Sequence, residues 1–93
     1  MDIEKRFEEL TDKAEEVGGT SKPLGRTGIN TVDPEVFEAW AASVLYLIKE
    51  AFSEDSTHFV NFKNLHDAFD GTEDKYKRSK GAFLAAREDY AKK

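Results

Sequence analysis

The chain has 93 residues, 14 of them basic and 19 acidic, with a net charge of −5 and no cysteine. That length makes a single domain, and the missing thiols exclude a disulfide framework and thiolate metal sites, in keeping with a cytoplasmic location. The acidic balance argues against generic nucleic-acid binding, and no apolar run approaches the ~20 residues of a membrane span.

A first helix is predicted over residues 2–17, with Asp2 as its N-cap. Ile3, Phe7, Leu10, Ala14 and Val17 recur at alternating steps of four and three, a narrow apolar seam suited to docking on one helix. The positions between them are polar or charged, and Gly18 and Gly19 are expected to end the helix. This acidic, amphipathic start shows no signal-peptide pattern. Residues 18–33 carry four glycines and one proline and have no apolar period. They read as a long, flexible connector, pinned by Leu24, Ile29 or Val32. The glycines lack the lysine spacing of a phosphate-binding loop.

The second helix, 34–52, is expected to carry most of the core. Asp33 is its cap, Pro34 its first residue and Glu35 the acid its dipole favours, with Val32 and Phe37 placed for a hydrophobic staple. On a helical wheel Val36, Leu47, Trp40, Ala51, Val44, Phe37, Ile48, Ala41, Phe52 and Leu45 form one arc of roughly 180°. An arc that wide needs more than one neighbouring helix. The opposite half holds Glu35, Glu38, Ala39, Ala42, Ser43, Tyr46, Lys49 and Glu50. Tyr46, on a floor of Ala39 and Ala42, is a candidate partner contact, because an aromatic ring supplies contact area at low entropy cost. The plainer alternative is a lone exposed ring, or one covered by the preceding loop.

A third helix is predicted over 54–69, capped by Ser53, with Glu54 and Asp55 in its first turn. Asp70 and Gly71 should stop it, and Thr72 should cap a fourth helix over 73–91. The third helix brings Asp55, His58 and His66 onto its apolar side, and Asp55 is the expected charge partner of His58. With only two histidines, eight residues and ~12 Å apart along the axis, a shared metal shell or acid–base pair has little support. In the fourth helix Tyr76, Phe83, Ala86 and Tyr90 form a stripe edged by Ser79 and Arg87. Lys75, Lys77, Arg78 and Lys80 surround Tyr76, and of these Lys75, Lys77 and Arg78 are candidate partner contacts; a solvated helical face is the simpler reading. Charge is uneven: residues 1–17 hold seven acids and three bases, residues 71–93 seven bases and four acids. That contrast can orient the end helices against each other or leave a basic end for an acidic partner.

The run from Phe37 to Phe62, with Trp40, Ser43, Leu45, Phe52, Asp55, Ser56 and His58, resembles a segment of a family of uncharacterised bacterial proteins. There an aromatic-rich helix is followed by F-G-x-D-S-x-H/Y and a further Phe. The stretch Gly81–Tyr90 is similar to the helix that closes the same N-terminal domain. The resemblance implies an N-terminal helical domain, usually followed by a second helical domain, with some relatives resembling abortive-infection or defence proteins. It supplies no catalytic residue. Ser53 stands where that pattern has Gly, and a side-chain cap is expected there instead.

The expected fold is all-α, a four-helix, mostly antiparallel bundle with a long glycine-rich loop between its first two helices. The expected function is that of a non-catalytic interaction or adaptor module, with no cofactor, serving a protein partner or a fused C-terminal domain. One alternative is a stand-alone, phage-type acidic inhibitor of a nucleic-acid-binding defence protein, using the carboxylates of residues 2–16. The other, less favoured, is a metal-dependent enzyme fragment at Asp55, His58 and His66.

Overall fold

The computed structural model describes residues 2–92. Four helices make up most of this span: α1 (Ile3–Gly18), α2 (Pro34–Ala51), α3 (Thr57–Asp67) and α4 (Glu73–Ala91). Two short strands, β1 (Lys22–Pro23) and β2 (Asn30–Thr31), lie between α1 and α2.

Each helix opens on a side-chain oxygen that accepts an otherwise unpaired backbone N–H. Asp2 accepts from Lys5, Asp33 from Glu35 and Val36, and Thr72 from Lys75, as the sequence predicts. The third helix departs from expectation. Its cap is Ser56, which accepts from Phe59, so the helix begins at Thr57 and not at residue 54. Ser53 is no cap. Its φ of 142° turns the chain between α2 and α3 in a conformation natural to glycine. Glu54 and Asp55 therefore lie exposed in that turn, outside the helix. At the other end α3 stops at Asp67, two residues before the expected Phe69, and Gly71 (φ 90°) carries the chain toward α4.

α2 and α4 each touch all three of the other helices. Phe37, Trp40, Ala41, Val44, Leu47 and Ile48 are fully buried, while the edge and end members of its apolar arc, Val36, Leu45, Ala51 and Phe52, are half-buried. The Trp40 ring sits edge-on to Phe62, Tyr76 and Phe83, at centroid distances of 5.7, 6.0 and 5.7 Å. Its Nε1–H donates to the Leu10 carbonyl at 2.9 Å, so the one polar atom of this buried ring is satisfied. Apolar burial here is the main stabilising term.

The seam of α1 faces two helices, not one. Leu10 meets Trp40 of α2, while the Phe7 ring lies 5.8 Å from Phe83 and 5.6 Å from Tyr90 of α4. A narrow stripe set into the groove between two helices reaches both. Further along α1, Thr11 accepts from Arg87, Glu15 pairs with Lys80 at 2.6 Å, and the Ala14 carbonyl accepts from the Tyr76 hydroxyl. Contacts therefore run from Phe7–Tyr90 to Ala14–Tyr76, and the two helices pass in opposite directions. The same holds for α2 and α3, where Phe37 stacks on Phe69, Trp40 meets Phe62 and Phe52 meets His58.

Gly18 is helical, and a Cβ there would lie 3.2 Å from the Tyr76 hydroxyl. Gly19 is right-handed (φ −67°), so α1 ends without a left-handed residue. The helix ends at these two glycines as expected, with Gly19 as its C-cap, and Gly18 also makes room for the Tyr76 ring. The connector is also more ordered than expected. Lys22 pairs with Thr31 and Pro23 with Asn30, and Gly25 and Gly28 take positive φ in the tip. Thr31 bridges to Thr72, and the Val32 N–H donates to the Gly71 carbonyl, fastening this hairpin to the start of α4. Of the three proposed pins only Val32 is buried; Leu24 and Ile29 are exposed.

Candidate interaction surface

The outer face of α2 presents Glu35, Ala39, Ala42, Tyr46 and Lys49, all exposed. They recur at steps of four, three, four and three, which places them in a stripe about 80° wide. Tyr46 is 56% exposed and is the largest of these side chains, beside the small floor of Ala39 and Ala42. Among the described residues no loop covers the ring: the hairpin fastens to α4 instead. Next to Ala39, between α1 and α2, lies a groove of about 390 Å³ lined by Val17, Val36, Ala39 and Trp40, with Lys13 and Glu16 on its α1 side and Glu35 and Ser43 on its α2 side. Periodicity made the stripe legible. The groove was not, because α1 forms one wall; its only sequence signal was Val36 at the edge of the apolar arc.

The cations of α4 are placed differently. Lys77 pairs with Glu73 at 2.9 Å and Arg78 with Asp74 at 3.3 Å, both one turn back along the helix, and Lys80 pairs with Glu15 of α1. Lys75 is half-buried, with no ion pair among the described residues. Hydrogen bonding to Glu73 raises the Lys77 pKa, and hydrogen bonding to Glu15 raises that of Lys80. Hence the positive charge of this segment is largely met within the chain.

Glu73 is the busiest carboxylate at this end. Its pKa is lowered first by the hydrogen bond from Ser21 and then by Lys77. Asp70 is likewise lowered, chiefly by the side chain and backbone N–H of Thr72. Both groups belong to the joint between hairpin and α4. Burial raises the Tyr76 pKa, as expected of a phenol enclosed against α1.

The histidines are held apart. His58 Nε2 lies 2.6 Å from Asp89 of α4, so its partner is not Asp55. His66 Nε2 meets both carboxylate oxygens of Glu38 on α2, one of them at 3.0 Å. Each imidazole thus ties α3 to a different neighbour. The reason is rotational: Asp55 precedes the helix, so the three-residue spacing that would bring it onto the face of His58 does not apply. No group of three potential ligands that could hold a metal ion occurs among the described residues. No described helix is long and apolar enough to cross a membrane.

No family model, curated protein or solved structure matches the chain.

Proposed function

We propose that the chain is a non-catalytic interaction module, an antiparallel four-helix bundle whose docking surface is the outer face of α2. The observation that carries this reading is the exposed Tyr46 ring beside Ala39 and Ala42, next to a groove of mixed apolar and polar lining. Aromatic rings flanked by small residues and a pocket supply the anchors on which protein contacts depend. The partner is a separate protein chain or a fused domain. Lys75, Lys77 and Arg78 take a lesser part, since two of the three are already paired.

The test is a photo-crosslinking residue placed at Ala42 in the protein expressed in bacterial cells. A covalent product that disappears with Tyr46→Glu supports the reading. Only uncrosslinked chain, with no product at Ala42 or at Ala39, refutes it.

The acidic-inhibitor reading ranks second and rests on a smaller set than residues 2–16. Asp2 is a cap, and Glu9, Glu15 and Glu16 pair with Arg6, Lys80 and Lys13, leaving Glu4, Glu8 and Asp12 exposed with no ion pair among the described residues. It predicts salt-sensitive binding to a basic protein, weakened by changing those three acids to amides.

A further inference from the structure

We infer that the occupant of the α2 face is a second copy of this chain, docked as a two-fold, antiparallel α2–α2 pair centred on Ala42. This rests on the reading of that face as a docking surface and names what covers it.

The argument is the symmetry of the stripe itself. Glu35 lies seven residues before Ala42 and Lys49 seven residues after it. An isologous contact requires a patch that matches itself when reversed. Turning one α2 end for end about Ala42 sets Glu35 of each copy opposite Lys49 of the other, about 10 Å along the axis on either side of the centre. Two complementary ion pairs then flank the contact. Glu35 has no ion pair among the described residues, and Lys49 has a long, exposed pair with Glu54 at 4.0 Å that it would exchange for Glu35 of the partner.

The same reversal places Tyr46 of one copy beside Ala39 of the other. Ala39 lines the 390 Å³ groove with Val17, Val36 and Trp40, and Lys13, Glu16, Glu35 and Ser43 complete its lining, so each ring enters a recess on its partner with an apolar part and a polar part. Ala42 meets Ala42, and a small residue on the axis allows two helices to approach closely. Parallel pairing fails on the same residues, since it would set Glu35 against Glu35 and Lys49 against Lys49. A partner of different sequence has no reason to match a stripe whose acid and base are equidistant from its centre.

The experiment uses the purified full chain in sedimentation equilibrium, with helical content and melting followed by circular dichroism for each variant. The wild type is expected to move from monomer toward dimer as concentration rises to about 1 mM, the weak range of small interfaces. Glu35→Lys and Lys49→Glu should each weaken association at least about tenfold, because each places like charges opposite one another twice. The double exchange, Glu35→Lys with Lys49→Glu, should restore it. Because the chain has no cysteine, Ala42→Cys adds a single thiol on the axis. It should form a disulfide-linked dimer faster than Ala85→Cys, at an exposed position of α4. A wild type that stays monomeric throughout overturns the inference, as does a double exchange no better than the single ones, or equal cross-linking at both thiols. The broader reading has its own outcome. In the photo-crosslinking test, a product of twice the chain mass of 10.5 kDa supports both, whereas a product with another protein keeps the docking surface and overturns the second copy.

Discussion

Ser53→Gly acts on the backbone alone. Ser53 is exposed and its φ is 142°, well beyond the small left-handed well that other residues use. Its carbonyl accepts from the Ser56 hydroxyl at 2.8 Å and from the Ser56 N–H at 3.3 Å, bonds that glycine makes equally well. No buried area changes. Relief of backbone strain at such a position is about 1–3 kcal/mol. Against it stands the extra freedom of glycine in the unfolded chain, about 0.4–1 kcal/mol. The net expectation is stabilisation by about 1 kcal/mol, which for a domain of this size raises Tm by about 4–8 °C. Thermal and urea unfolding followed by circular dichroism measure it, with Ser53→Ala as the control that keeps a Cβ and gains nothing. A Ser53→Gly protein melting at or below the parent would refute the strained turn, and with it the placement of Glu54 and Asp55 outside α3.

Other changes probe the core and the hairpin joint. Trp40→Ala removes the ring around which Phe62, Tyr76 and Phe83 pack and should cost about 3–5 kcal/mol, a large share of the stability of a small domain. A melting point within a few degrees of the parent would show that α2 is not the core element. Ser79 is fully buried, and its hydroxyl has no hydrogen-bond partner among the described residues. Ser79→Ala should therefore stabilise by about 1 kcal/mol, and a loss in urea unfolding would mean the hydroxyl is bonded. At the joint, the carboxyl of Glu73 titrates below its ordinary value because Ser21 and Lys77 bond its charged form. Its stabilising contribution is thus fully present above the ordinary glutamate pKa and is lost as pH falls through the lower, folded value. Carboxyl NMR titration of Ser21→Ala should move Glu73 back up toward the ordinary value; an unchanged titration would remove Ser21 from the joint.

The caps Asp2, Asp33 and Thr72, the buried arc of α2 and the exposed stripe through Tyr46 were all legible in the amino-acid order. Their causes are local. A side-chain oxygen meets an N–H two or three residues on, and a period of 3.6 assigns each residue to a face whatever lies across from it. Local signals were misleading where two candidates stood close together. Ser53 and Ser56 are both competent caps, and only the backbone path out of α2 selects Ser56.

What the tertiary structure decided is every relation between residues distant in the chain. Pairing of His58 with Asp89 and of His66 with Glu38 depends on how α3 lies over its neighbours, information that spacing within α3 does not carry. The glycine at position 18 is legible as a helix end, but its second role, leaving room for the Tyr76 ring, depends on a residue from the far end of the sequence. The groove beside Ala39 exists because α1 supplies its second wall. Secondary structure follows from contacts a few residues apart, whereas a surface that can receive a partner is assembled from helices whose relative placement only packing of the shared core determines.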